Sequence, residues 1–277
     1  MTIRACVIGW PVEHSRSPLI HGYWLERHGI DGSYTKQAVA PDELAEFLAV
    51  LATHGFAGAN VTVPHKEAAL ALADEADDAA RAIGAVNTLW IDNGALHASN
   101  TDAYGFLANL DEAAPGWDDT KCAALVLGAG GAARAVLHGL LGRGFDEIRL
   151  VNRTQARAEA LAAHFAGSVR VFEWQDRGAQ LKGCGLVVNA TTLGMSGESP
   201  LEIDLAGAEQ TCVVSDLVYS PLKTKLLSSA EALGLRTAEG LGMLLHQAAP
   251  GFEKWFGVRP EVTSELRALV SADLEGS

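Results

Sequence analysis

Short apolar runs closed by turn residues alternate with stretches of helical periodicity along most of the chain. Ile3–Gly9 reads as a strand and is followed by an amphipathic helix over Pro18–His28. The same order returns in Tyr34–Val39 with Asp42–Thr53, and again in Gly58–Val63 with Lys66–Ala73. Ala85–Ile91 and Ala95–Ser99 flank Asp92-Asn93-Gly94, a strong hairpin signal, so the first sheet is expected to be mixed. A helical pattern runs from Thr101 to about Ala113, and Pro115-Gly116-Trp117-Asp118-Asp119 then reads as a surface loop. Further strand patterns follow at Cys122–Leu127, Glu147–Val151, Val169–Phe172, Gly185–Asn189 and Cys212–Asp216, with helical patterns between several of them. Helices over Leu241–Trp255 and Glu261–Leu274 close the pattern and are expected to return to the first domain.

This rhythm predicts an α/β fold, and a length of 277 residues exceeds the usual single core. Two domains are expected, residues 1–101 with 241–277, and residues 102–240, with a cleft between them. The second has the strand-helix repetition of a doubly wound nucleotide-binding sheet.

Composition narrows the classes of function. The formal charge of −13 is spread along the chain with no basic run to offset it, which disfavours nucleic-acid binding. An anionic ligand must therefore be held by local donors and a few arginines. Cys6, Cys122, Cys184 and Cys212 are scattered without a C-x-x-C pair and read as buried free thiols. The start of the chain lacks the features of a signal peptide, and no apolar stretch approaches the ~20 residues needed to span a bilayer, so a cytoplasmic protein is expected. The nine histidines show no metal-ligand spacing, and no metal is expected.

Leu125-Val-Leu-Gly128-Ala129-Gly130-Gly131-Ala132-Ala133-Arg134 places G-x-G-x-x-A directly after a predicted strand and at the start of a helix. In that setting Gly128 allows a tight turn, Gly130 admits a pyrophosphate against main-chain amides, and Ala133 permits close helix-sheet packing. The next strand ends in Asn152-Arg153-Thr154-Gln155-Ala156-Arg157, where a domain binding NAD usually carries an acid for the ribose hydroxyl. Arg153 and Arg157, with the Thr154 hydroxyl, suit a 2′-phosphate instead, which points to NADP. The competing reading makes Thr154 a helix N-cap and the arginines a solvated face.

Polar clusters in the first domain supply candidate chemistry. Ser15 and Ser17 follow the first strand and could hold a carboxylate, although Ser17-Pro18 is also an ordinary helix start. Asn60, Thr62, Lys66 and Asn87 lie on or after strands in otherwise apolar surroundings, and Asp102 closes the polar cluster Asn100-Thr-Asp102. They could surround a hydroxylated ring or form an internal hydrogen-bond network. A lysine beside a carboxylate can move a proton to or from an alcohol oxygen while a nicotinamide exchanges the hydride; it can equally be a structural salt bridge.

Ser15-Arg-Ser-Pro18, Asn60-Val-Thr-Val-Pro-His-Lys66, Gly84-Ala-Val-Asn87-Thr88, Asn100-Thr-Asp102, Asn189-Ala-Thr191, Asp216-Leu-Val-Tyr219 and Gly240-Leu-Gly-Met243-Leu-Leu-His-Gln247 occur in an order that resembles the shikimate dehydrogenase family along the whole chain. The resemblance implies a substrate-binding domain and a Rossmann-type NADP-binding domain. It implies reversible NADP-linked interconversion of shikimate and 3-dehydroshikimate, a step of aromatic amino-acid biosynthesis, with hydride transfer at ring carbon 3. It also implies Ser15 and Ser17 on the substrate carboxylate, and Asn60, Thr62, Asn87, Asp102, Gln247 and Tyr219 around the ring. Lys66, with Asp102, would carry the proton transfer. Gly128, Ala129, Gly130, Gly131, Ala132, Asn152, Arg153, Thr154, Arg157, Thr191, Leu217, Gly240 and Met243 are expected around the cofactor. A monomer or homodimer is expected. The rival readings are a quinate/shikimate dehydrogenase using NAD and a catalytically silent NADPH-binding sensor.

Overall fold

The computed structural model describes residues 2–165 and 167–276. The chain divides into two compact units, Met1–Asp102 with Leu245–Val270, and Ala103–Leu244 with Ser271–Ser277.

The first unit contains β1 (Ile3–Gly9), α1 (Ser17–Arg27), β2 (Gly32–Ala38), α2 (Leu44–Ala49), β3 (Phe56–Val61), α3 (Lys66–Leu72), β4 (Glu75–Ala76), α4 (Asp78–Ile83), β5 (Thr88–Asp92) and β6 (Ala95–Ser99). Their sheet order is β2-β1-β3-β5-β6-β4. β1 runs parallel to β2 and β3, whereas the β5-β6 hairpin is antiparallel to β3, so the sheet is mixed as its turn signal implied. Asn93 and Gly94 take positive φ values of 49° and 83° at the hairpin tip. One sheet face packs Cys6, Ile8, Leu44, Leu48, Ala59 and Leu89 into a core. Near α1, an aromatic cluster joins Trp24, Tyr34, Phe252 and Trp255 around the His21 ring, which stacks on Tyr34 with centroids 4.0 Å apart. Phe252 and Trp255 come from α9 (Gly240–Phe256), and the Trp255 indole donates to the Leu89 carbonyl at 2.8 Å, pinning this helix to β5.

His21 is fully buried. Burial lowers its pKa to about 3, and the nearby Asn60 side chain, outside strict hydrogen-bond geometry, offsets only part of that effect. Between the unfolded value of 6.5 and about 3, the unfolded chain takes up a proton that the fold refuses, so this contribution to stability is lost as pH falls. Its slope approaches about 1.4 kcal/mol per pH unit. Melting curves from pH 7 to about 4.5 are expected to show His21→Phe gaining on the wild type as the medium acidifies; parallel curves would refute the assignment.

Asp102 opens α5 (Asp102–Ala113), whose remainder belongs to the second unit. There follow β7 (Ala123–Leu127), α6 (Gly131–Gly142), β8 (Ile148–Val151), α7 (Gln155–His164), β9 (Val169–Phe172), β10 (Cys184–Asn189), β11 (Val213–Asp216), α8 (Lys225–Ala232), β12 (Arg236–Ala238) and the first turn of α9. Their sheet is wholly parallel, with order β12-β11-β10-β7-β8-β9. Apolar residues cover both of its faces: Ala124, Val126, Leu186 and Val188 meet α5, α6 and α7, while Leu125, Leu127, Val187 and Val214 meet α8 and the Leu201–Leu205 segment. This two-sided burial explains why these strands read as continuous apolar runs. α10 (Ser264–Glu275) ends the described chain.

Several local expectations are corrected. α2 spans Leu44–Ala49 rather than the whole of 42–53, because turns from Val50 to Gly55 end it. Cys6, Cys184 and Cys212 are buried, and burial pushes their thiols to about 12, 11 and 12. Cys122 is exposed, because β7 begins one residue later and the thiol faces Thr120 Oγ1 at 3.3 Å. Among the described residues, no helix is long and apolar enough to cross a membrane.

Candidate active site

Strand polarity gathers the polar motifs of the first unit at one edge of its sheet. β1 and β3 are parallel, so their carboxyl ends coincide; antiparallel β5 brings its amino end there, and β6 returns its carboxyl end beside it. In register, Val7 pairs with Asn60, Asn60 with Thr88, and Thr88 with Ser99. Ser15, Ser17, Asn60, Thr62, Lys66, Asn87 and Asp102 all lie on or just beyond these strand ends.

The side chains of Asn60, Lys66, Asn87 and Asp102 are linked by hydrogen bonds, Asn60 by way of Thr88. Lys66, the first residue of α3, places Nζ 2.5 Å from Asp102 Oδ2, and Asn87 Nδ2 donates to Asp102 Oδ1 at 2.7 Å. The lysine side chain keeps 27% exposure against 7% for the aspartate, so Lys66 is the member of the pair that meets solvent. Asn60 donates to the Asn87 carbonyl at 3.0 Å and accepts from the Tyr34 hydroxyl at 2.6 Å. Burial pushes the Tyr34 phenol well above its ordinary range, so it stays a proton donor. Asn100 fixes the corner from β6 to α5: Oδ1 accepts from the Asp102 N–H at 3.0 Å while Nδ2 donates to the Ala85 carbonyl at 2.9 Å.

Ser15 and Ser17 set their hydroxyls 3.2 Å apart, half-buried, close enough to meet one carboxylate together. Arg16, not Ser17, is the N-cap of α1, and Pro18 follows within its first turn, which leaves the Ser17 hydroxyl out of the capping role weighed for it. Half-buried Thr62 joins the edge through its N–H to the Ile8 carbonyl at 2.9 Å. Gln247, on α9, has its main-chain carbonyl bound by the Thr101 hydroxyl at 2.8 Å. Tyr219 is half-buried in the second unit, just beyond β11. Tyr34, Thr88, Asn100 and Thr101 are members of the network that did not stand out as individual candidates.

In the second unit, the strand order reverses between β7 and β10, the place where α/β sheets bind ligands. Gly128 leaves β7 there with φ of 109°, and a Cβ on it would lie 2.8 Å from the Ala190 carbonyl oxygen, so the turn requires glycine. Ala129, Gly130, Gly131 and Ala132 lead into α6, where Gly130 is an N-cap without a side chain and a Cβ at Gly130 or Gly131 would meet open space. The helix start thus has room for an anion against its amides. Thr191 is held beside this turn by its hydroxyl bond to Asn189 Oδ1 at 2.7 Å. Asn189 Nδ2 and the Val218 N–H in turn donate to Asp216, whose carboxyl is raised by burial against these opposing bonds. Gly240 passes so near that a Cβ would lie 2.5 Å from the Leu217 carbonyl oxygen, which ties Leu217 to the start of α9; Met243 sits one turn on, in the core.

Beyond β8, Asn152 Nδ2 donates to the Thr154 carbonyl at 2.8 Å. Thr154 occupies the N-cap position of α7, but its hydroxyl makes no capping bond. Arg153 and Arg157 are exposed, and neither forms an ion pair among the described residues. Two open guanidiniums and a spare hydroxyl suit a dianionic phosphate, so the residues present fit an NADP-type dinucleotide. Among the described residues, no group of three or more His, Cys, Asp or Glu side chains is placed to hold a metal ion.

Three family models match the chain: the shikimate dehydrogenase substrate binding domain over residues 7–89, shikimate / quinate 5-dehydrogenase over 112–195, and the shikimate 5'-dehydrogenase C-terminal domain over 240–267. A shikimate dehydrogenase (NADP(+)) of Azorhizobium caulinodans is 58% identical over 271 residues, covering 98% of this chain and 96% of its own. The crystal structure of a Thermus thermophilus shikimate 5-dehydrogenase in complex with NADP(H) and shikimate superposes with a TM-score of 0.87 at 38% identity, covering 98% of this chain and all of the other. A Corynebacterium glutamicum quinate dehydrogenase in complex with NAD reaches a TM-score of 0.90 at 30% identity over 98% of this chain and 99% of its own. With matches of this identity along nearly its whole length, the chain belongs to the shikimate dehydrogenase family.

Proposed function

We propose that this chain is an NADP-dependent shikimate dehydrogenase, interconverting 3-dehydroshikimate and shikimate in aromatic amino-acid biosynthesis. The observation that carries the reading is the Lys66–Asp102 pair, 2.5 Å apart within a closed set of amides and hydroxyls, in a chain 58% identical to a shikimate dehydrogenase (NADP(+)). We assign the substrate to a domain of residues 1–101 with 241–277, and the dinucleotide to residues 102–240.

Bound NADP supplies the hydride acceptor at its nicotinamide. Ser15 and Ser17 hold the substrate carboxylate, and Asn60, Thr62, Asn87 and Gln247 bind the ring hydroxyls, with Tyr219 as a further contact. Lys66 faces the reacting oxygen, because its side chain reaches solvent while Asp102 lies behind it. In oxidation the neutral Lys66 amine takes the hydroxyl proton as the hydride leaves and becomes an ammonium; in reduction that ammonium stabilises the oxygen's growing negative charge and returns the proton. Asp102 orients the amine and balances its charge. Gly128 to Ala132 take the pyrophosphate, Asn152, Arg153, Thr154 and Arg157 take the 2′-phosphate and its ribose, and Thr191, Leu217, Gly240 and Met243 lie toward the nicotinamide end. The enzyme works in the cytoplasm as a monomer or homodimer.

The arginines favour NADP over NAD. The quinate dehydrogenase of nearly equal fold similarity shows that backbone shape alone does not choose the substrate. Initial rates of oxidation of shikimate and of quinate, each with NADP and with NAD, test the reading. Turnover chiefly with shikimate and NADP is expected. Preference for quinate with NAD would move the chain to that branch, and cofactor binding without turnover would make it a sensor.

A further inference from the structure

We infer that Thr88 and Thr101 are positioning residues for the Lys66–Asp102 pair, acting through the amide of Asn87; the inference rests on the catalytic role proposed above for that pair. Asn87 Oδ1 accepts from the Thr88 hydroxyl at 3.0 Å, from the Thr101 main-chain N–H at 2.9 Å and from the Thr101 hydroxyl at 3.1 Å. A main-chain N–H can only donate, so the amide oxygen must face it, and Nδ2 is left to face Asp102 Oδ1 at 2.7 Å.

The donors along this path all point the same way. Tyr34 donates to Asn60 at 2.6 Å, Asn60 to the Thr88 hydroxyl at 3.3 Å, Thr88 to Asn87 at 3.0 Å and Asn87 to Asp102 at 2.7 Å. Hydrogen bonds aligned head to tail polarise one another, so the two hydroxyls strengthen the Asn87 N–H against the carboxylate. One carboxylate oxygen is thereby committed to Asn87, and the other holds Lys66 at 2.5 Å. Thr88 is 1% exposed and Thr101 5%, so each works through Asn87 rather than by presenting its hydroxyl to a ligand.

Thr101 has a second hold on the site. Its hydroxyl shares its proton with the Gln247 carbonyl at 2.8 Å. Gln247 lies three residues before Pro250, which is inside α9. Thr101 anchors the turn from outside and sets where Gln247 stands.

Thr88→Val, Thr101→Val, the double variant and the Thr→Ser counterparts test this in the shikimate-NADP assay, with kcat, both KM values and the solvent deuterium isotope effect on kcat as readouts. Each valine is expected to lower kcat by roughly 3–10-fold and the pair by roughly 10–100-fold, leaving KM for NADP unchanged, while each serine returns kcat to within about twofold. The isotope effect should rise in the valine variants, because proton transfer becomes slower relative to the other steps. This ratio is independent of how much protein is active. A role in folding alone would lower the melting temperature and leave the isotope effect at its wild-type value, and that result would overturn the proposal even if only the single variants fold. Absence of shikimate turnover in the wild type would overturn both this inference and the reading beneath it.

Discussion

Replacing Lys66 with methionine is expected to lower kcat for shikimate oxidation by roughly 10²–10⁴-fold, the usual range of a general acid-base contribution. Methionine keeps an unbranched apolar stem at the start of α3 and removes only the nitrogen that lies 2.5 Å from Asp102. The carboxylate left behind is 7% exposed but retains its bond from Asn87 and its place at the head of α5, so the fold should persist with some loss of stability. Shikimate binding should change much less than turnover, because the serine pair and the amides are untouched. Near-normal turnover with the fold intact would remove Lys66 from the chemistry.

The second large effect concerns the choice of cofactor. Arg153→Ala is expected to weaken NADP binding by about 10–150-fold, the equivalent of ~1.5–3 kcal/mol for a charge-assisted bond to phosphate, and to change NAD binding by less than about twofold. The exposed guanidiniums of Arg153 and Arg157, which no carboxylate among the described residues pairs, and the Thr154 hydroxyl, which makes no capping bond, are open to the 2′-phosphate. Binding titrations with the reduced and oxidised forms of both dinucleotides check it. Equal losses for the two cofactors would show that Arg153 serves something other than the 2′-phosphate.

The strand rhythm made both sheets legible, because short apolar runs closed by turn residues recur through each of them. The Asp92-Asn93-Gly94 signal located the antiparallel hairpin, and that hairpin returns Asn87 and Asp102 to the sheet edge carrying Asn60. Elements too short to show a period, β4 with two residues and α4 with six, left no such mark. Lys66 and Asp102 were visible as charges within short polar clusters, but their contact is made across 36 positions of chain and depends on strand pairing. Tyr34, Thr88 and Thr101 were harder to see. Tyrosine and threonine are ordinary strand residues, and only the register showed that their hydroxyls face amides rather than core. Thr88 directly follows Asn87 and Thr101 directly precedes Asp102, so a hydroxyl beside each polar candidate was the available signal.

The most direct test of the account is a single-turnover experiment in which enzyme saturated with NADP is mixed with shikimate, and NADPH formation is followed for the wild type and for Lys66→Met protein shown to bind both ligands. The proton-transfer role of Lys66 predicts rapid NADPH formation in the wild type and a rate lower by roughly 10²–10⁴-fold in the variant. Equal rates in the two proteins, or no NADPH from shikimate in the wild type, would contradict it.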